Sequence, residues 1–139
     1  MTVYVETSAA AKLLVDEQES SALAAFLDGL GPNDALVSSV LLETELRRLA
    51  VRENLSQAHV TDLLDRFDLY DMDRAVFVEA GLLSGAHLRS LDALHIAVAV
   101  RVEAAVMVAY DVRQTEAARA AGLRVIGPTA AAPESTSPR

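Results

Sequence analysis

Short apolar runs separated by stretches of helical spacing are what most narrows the folds open to this chain. Val3-Tyr4-Val5, Ala35-Leu36-Val37, Leu69-Tyr70-Asp71-Met72, Val106-Met107-Val108-Ala109 and Leu123-Arg124-Val125-Ile126 read as strands rich in β-branched and large apolar side chains. Helical patterns fill the gaps. Thr7 or Ser8 is the expected N-cap of a helix through Leu14, and Ser20-Ser21 caps a run carrying Leu23, Phe26, Leu27 and Leu30. Ser38 or Ser39 caps a helix reaching Glu53 and broken at Asn54. Ser56-Gln57 opens one to about Phe67, and another runs from about Arg74 to Leu83 and ends at Gly85. A strongly apolar helix runs from Ser90 or Leu91 through Val102, and Gln114 to Ala121 forms the last. Strands separated by helices pair in parallel through right-handed crossovers. The expected fold is therefore α/β: a three-layer α/β/α sandwich with a central, mostly parallel sheet, and with helical hairpins where two helices separate strands. It occupies residues 1–128, and a Pro-, Ala- and Ser-rich tail, 129–139, is expected to be disordered.

A chain of 139 residues suits one domain with a real core. No apolar run approaches the roughly 18 residues that a spanning helix needs. The N-terminus lacks the basic region and separate apolar core of a signal peptide, so a cytoplasmic protein is expected, without membrane contact. Having no cysteine, the chain has neither disulfides nor thiolate metal sites. A net charge of −8 argues against nucleic-acid binding driven by overall charge. It leaves a nuclease open, because metal-binding carboxylates themselves add to that count. Eleven of the twelve basic residues are Arg, which suits bidentate phosphate contact.

Four carboxylates stand where such a sheet gathers its chemistry. Glu6 directly follows the first strand and precedes a helix, and Asp111 follows the Val106–Ala109 strand in the same way. Ligands of open parallel sheets bind beyond the carboxyl ends of the strands. In the Ser38–Arg48 segment, helical spacing sets Glu45 at the border of the apolar stripe of Leu42, Leu46 and Leu49, while Glu43 points away. Asp92 lies in the first turn of a helix that is apolar nearly all round, with His95 on the same face one turn later, read as a neighbour rather than a ligand. Each acid has a plainer reading alone: a solvated strand end for Glu6, a surface pair with Arg48 for Glu45, a dipole-stabilised first turn for Asp92, a cap for Asp111. Jointly they make a pocket in which like charges repel and a divalent cation removes the conflict. Oxygen ligands alone select Mg²⁺ or Mn²⁺ over Zn²⁺, and the chemistry implied is phosphoryl or phosphodiester transfer.

An opening strand, acid and Thr-Ser (Val3 to Ser8), then Glu45-Leu46-Arg47-Arg48, Leu91 to Ala97, Ala109-Tyr110-Asp111 and the closing Gly122 to Pro128 occur in that order. The series resembles PIN-domain ribonucleases, most of all the compact VapC-type toxins of bacterial toxin–antitoxin pairs, over nearly the whole chain. The resemblance implies a metal-dependent endoribonuclease acting on RNA such as tRNA or rRNA, with Mg²⁺ or Mn²⁺ as cofactor. It implies a homodimer or a hetero-oligomer with a cognate VapB-type antitoxin that covers the acidic pocket. Glu6, Glu45, Asp92 and Asp111 become the catalytic metal site. Thr7 or Ser8 orients the first carboxylate or a water, His95 stands behind the ligands, and Arg113 meets phosphate. Leu13, Leu14, Leu23, Phe26 and Leu27 are expected in the core, with any exposed remainder forming a groove for an antitoxin helix.

Two departures from the family pattern matter. The first acid is normally Asp, and Glu6 carries its carboxylate farther by on the order of 1.5 Å, one C–C bond. Ala109 stands where a hydroxyl residue is usual. The alternative function is therefore a catalytically impaired PIN-like scaffold that binds without cutting. A phosphatase or phospho-receiver on a similar sheet is set aside: no Asp-x-Asp follows the first strand, no acidic pair lies near it, and no Gly-rich phosphate loop occurs.

Overall fold

The computed structural model describes residues 1–130, so residues 131–139 of the expected tail lie outside the described residues. Five strands, β1 (Thr2–Val5), β2 (Ala35–Ser39), β3 (Asp68–Tyr70), β4 (Val106–Val108) and β5 (Val125–Ile126), form one sheet in the order β3-β2-β1-β4-β5. Every pairing is parallel, so the "mostly" of the sequence reading becomes "wholly" among the described strands.

The first strand is central because it can be buried on both faces. Val3 and Val5 point into one apolar cluster and Tyr4 into the other, and all three are fully buried. Such a strand has no polar face to offer water, which is why it reads as an unbroken apolar run. Beneath Val3 and Val5 lie α1 (Thr7–Ala10), α2 (Ser20–Asp28), α3 (Leu41–Glu53) and α4 (Gln57–Leu64), which contribute Leu23, Leu27, Leu42, Leu46, Val60 and Leu63. Beneath Tyr4 lie α5 (Arg74–Gly81), α6 (Ser90–Arg101) and α7 (Val112–Ala120), with Val76, Ile96, Val98 and Ala118. Each such aliphatic side chain contributes roughly 1.5–3 kcal/mol when removed from water. These two layers and the sheet are the three expected.

Several element ends differ from the sequence reading, each for a local reason. The first helix is capped by Glu6, not by Thr7 or Ser8, because the Glu6 carboxylate accepts the Ser8 N–H; the helix is one turn of α tightened into a 3₁₀ turn, Ala11–Leu13. Ser20 lies inside α2, its hydroxyl donating to Lys12 O and accepting from Glu17 N–H, and Glu19 holds the cap position without a side-chain bond. Ser38 and Ser39 belong to β2. The Ser38 hydroxyl donates to Val5 O at 2.7 Å, while the Ser39 hydroxyl still accepts the Leu41 N–H at 3.2 Å at the head of α3, with Val40 in the cap position. The α4 helix stops at Leu64 rather than Phe67, and α5 at Gly81 rather than Leu83. The third strand is Asp68–Tyr70 rather than Leu69–Met72, drawn back by pairing Val37 with Asp68. Asn54, as expected, ends α3, in the left-handed region at φ 55°.

Candidate active site

Strand order reverses at β1, which has β2 on one side and β4 on the other. The crevice beyond the carboxyl ends at such a switch point is where open α/β sheets bind ligands. Glu6 leaves β1 here, its N–H donating to Val108 O at 3.1 Å, and Asp111 leaves the neighbouring β4. From opposite faces of the sheet, α3 brings Glu45 and α6 brings Asp92.

Glu6 is 4% exposed, so its charge has to be met by protein donors. The Ser8 N–H donates to Oε1 at 2.9 Å, and the Ser8 hydroxyl donates to the same oxygen. The Ser8 oxygen in turn accepts the Tyr110 N–H at 3.0 Å, tying the first helix to the end of β4. Fully buried Gln114, with its amide turned to donate, lies 3.1 Å from both Glu6 oxygens. Burial still pushes the Glu6 carboxyl up, aided by the nearby charge of Asp92, while His95 and Ser8 pull the other way.

Glu45 belongs to a second network. Thr7 Oγ1 donates to its Oε1 at 2.6 Å, and His95 Nε2 lies 2.7 Å from the same oxygen and 3.1 Å from Thr7 Oγ1. On the other side of the ring, Tyr4 Oη is 2.6 Å from His95 Nδ1. Both ring nitrogens are therefore engaged, Nδ1 by Tyr4 and Nε2 by Glu45 and Thr7. Burial raises the Tyr4 hydroxyl further, which keeps it a neutral donor. Burial alone would raise Glu45 too, but the His95 and Thr7 bonds outweigh it and hold that carboxyl below its ordinary value. The plainer alternative for Glu45, a surface pair with Arg48, is absent among the described residues; Glu43, facing away, pairs with Arg47.

Asp92 and Asp111 line one groove of about 530 Å³ together with His87, Leu88, Arg89, Tyr110, Val112 and Arg113. Partial burial, and then the charge of Asp111, raise the Asp92 carboxyl. Glu45 adds to that rise, and His95 and Arg89 oppose it. Asp111 also caps α7 by accepting the Gln114 N–H at 3.0 Å. An adjoining, more apolar groove of about 620 Å³ shares His87, Leu88 and Arg113. The acids therefore sense one another through Asp92, although among the described residues no three acidic or His side chains are drawn close enough to hold an ion unaided. The reason is visible in the two networks: Glu6 is turned onto Ser8 and Gln114, and Glu45 onto Thr7 and His95. An all-carboxylate set with mutual repulsion and two partly open members fits a hard divalent ion that keeps several waters.

Thr7 and Ser8 therefore divide the task expected of either: Ser8 orients Glu6, and Thr7 orients Glu45. His95 is fully buried behind Glu45, and Arg113 stands at the groove. Three contributors were not singled out from the sequence. Tyr4 looked like a core aromatic and Gln114 like the start of a helix, whereas Arg89, just before Ser90, carried the weak signal of a basic residue one turn from Asp92.

The model of the PIN domain matches residues 3–120 of the chain. Ribonuclease VapC35 of Mycobacterium tuberculosis is 37% identical over 132 residues, spanning 91% of this chain and 96% of the relative. Ribonuclease VapC46 of the same organism is 36% identical over 130 residues, spanning 91% and 98%. Among solved structures, VapBC2 of Rickettsia felis, bound to a DNA fragment from its promoter, superposes with a TM-score of 0.74 at 16% identity, covering 92% of this chain and 99% of that one. The sarcin–ricin-loop-cleaving toxin VapC20 of M. tuberculosis gives 0.70 at 18% identity, covering 91% and 99%. With a family match that runs from the first strand to the last helix, and relatives matched over almost their full lengths, this chain belongs to the PIN-domain family.

Proposed function

We propose that the protein is an endoribonuclease toxin of the VapC type, acting in the cytoplasm on RNA such as tRNA or rRNA and neutralised by a cognate VapB-type antitoxin. The observation that carries this reading is the single groove lined by Asp92 and Asp111 between Arg89 and Arg113. PIN-domain ribonucleases generally depend on a divalent metal. In this chain Glu6, Glu45, Asp92 and Asp111 would hold it, as Mg²⁺ or Mn²⁺. When bound, such an ion supplies positive charge to a phosphate and acidifies a water.

The chain's own side chains do the rest. Ser8 and Gln114 hold Glu6 in one orientation, and Thr7 and His95 hold Glu45. A net charge of −8 repels RNA at long range, so local cations have to seat it. Arg113 and Arg89 stand beside the acids where a backbone phosphate would lie, and a guanidinium can take two of its oxygens at once. Among the described residues no helix is long and apolar enough to cross a membrane. Leu23 and Leu27 are buried, and Leu13, Leu14 and Phe26 pack against the same cluster. Leu13 and Leu14, half-buried, also line a groove of about 310 Å³, and further apolar surface for an antitoxin or a second copy lies on Phe77, Val78 and Leu82, the last 80% exposed.

The impaired-scaffold alternative finds no support among the relatives. The test is cleavage of purified tRNA and of rRNA fragments with Mg²⁺ or Mn²⁺. Activity is expected to vanish with EDTA and to fall to background in Asp92→Asn. Equal cleavage by the wild type and Asp92→Asn would sink the reading.

A further inference from the structure

We infer that Gln114 is a positioning residue that matches the pocket to a glutamate at position 6. This rests on the metal-dependent reading above and deepens it. With its amide oriented to donate, Gln114 bridges two of the four acids at once. Its backbone N–H donates to Asp111 at 3.0 Å, and its side-chain amide reaches both oxygens of Glu6 at 3.1 Å. It is fully buried in the first turn of α7, so water cannot take over its bonds. Glu6 has two oxygens and a longer stem than Asp, with three rotatable side-chain bonds to hold. Ser8 binds only Oε1. Gln114 also contacts the second oxygen, Oε2. A neutral amide suits this position: it donates without cancelling the negative charge a cation would need, whereas a basic residue would compete with the ion.

The reach is specific to the longer acid. An aspartate at position 6 withdraws the carboxylate by on the order of 1.5 Å, one C–C bond. A 3.1 Å contact then opens beyond hydrogen-bond range. Gln114 and Glu6 therefore act as a pair, and the benefit of either depends on the other. Groups that orient metal-binding carboxylates typically affect metal affinity by about 10–100-fold.

The experiment is Mn²⁺ binding by calorimetry, without RNA, on the full chain and on Gln114→Met, Glu6→Asp and the double variant, each checked for folding by circular dichroism. Gln114→Met keeps the volume and the backbone bond to Asp111. It is expected to weaken Mn²⁺ by about 10–100-fold in the Glu6 background and by less than about 2-fold in the Glu6→Asp background. RNA cleavage by Gln114→Met is expected to recover at saturating Mn²⁺, which a fault in packing would not permit. Unchanged affinity in folded Gln114→Met, or an equal loss in both backgrounds, overturns the inference. Should Gln114→Met fail to fold, Gln114→Asn takes its place; its amide falls one C–C bond short of Glu6, so Mn²⁺ is expected to weaken likewise, and unchanged affinity in the folded variant overturns the pairing. Asp92→Asn serves as the separate control. If it loses Mn²⁺ and cleavage while Gln114→Met behaves as wild type, the pairing fails and the nuclease stands. If the wild type neither binds Mn²⁺ nor cuts RNA, both fall.

Discussion

Replacing His95 with Leu isolates the energetic weight of the polar network under Glu45. The side chain is fully buried, and it meets Tyr4 at 2.6 Å, Glu45 at 2.7 Å and Thr7 at 3.1 Å. Leu is of similar size, so the main loss is hydrogen bonding rather than volume. The Tyr4 hydroxyl, also fully buried, loses its imidazole partner and keeps only Ser38 and Ser39 beside it, at a cost of about 1–3 kcal/mol. Glu45 loses a donor too, but its side chain is 23% exposed and water replaces part of that bond, leaving about 1 kcal/mol. The sum, about 2–4 kcal/mol, is a large share of the roughly 5–15 kcal/mol that holds a domain together. In urea it lowers the unfolding midpoint by about 1–2 M. Tyr4→Phe removes the hydroxyl that has lost its imidazole partner, so the double variant is expected to be less destabilised than the two single losses added together, by more than about 0.5 kcal/mol. Strict additivity in that cycle would refute the claim that Tyr4 and His95 act as one unit.

Three further outcomes follow from the same geometry. Burial and like charge raise the Glu6 and Asp92 carboxyls, so the folded metal-free protein binds protons more readily there than the unfolded chain. The stability this contributes is full below the ordinary carboxylate range and is lost as pH rises through the raised values. In EDTA, the Tm of wild type relative to Glu6→Gln/Asp92→Asn should therefore fall over that interval, the lowered Glu45 being common to both, and the Tm gain on adding Mg²⁺ should be larger at pH 8 than at pH 5; a gain independent of pH would contradict it. Asp111→Ala removes both a charge and the α7 cap, costing about 1 kcal/mol, whereas Asp111→Asn keeps the cap and loses the charge. Chemical denaturation should separate the two variants while RNA cleavage is lost in both. Phe26→Asp is expected to destabilise by about 2–3 kcal/mol because Phe26 packs on the core; a stable variant that loses only antitoxin binding would show that it belongs to a docking surface.

Period and order along the chain were enough to reach the layered α/β fold. The doubly buried β1 shows as three apolar residues in a row, and helix α6 as an apolar segment with one acid and one His. The acids were legible for the same reason: a charge at a strand end or against an apolar stripe stands out against its neighbours. Glu6 and Asp111 flank the seam between β1 and β4, and the spacing within Leu41–Arg48 set Glu45 at the core's border.

What sequence could not carry is partnership between residues far apart in the chain. Local spacing made Thr7 or Ser8 a cap, but Glu6 caps its own helix while Thr7 turns to Glu45, 38 positions away. Gln114 is an unremarked polar residue until α7, packed on α6 and β5, brings its amide to Glu6, and Tyr4 is a core aromatic until α6 brings His95 to its hydroxyl. Sequence alone thus determined which groups bear charge and which segments bury their faces, because both follow from side-chain chemistry and local repeat. Only tertiary packing decided which donor meets which carboxylate, because a buried hydrogen bond is chosen by the few ångströms of space left when separate elements close on one another.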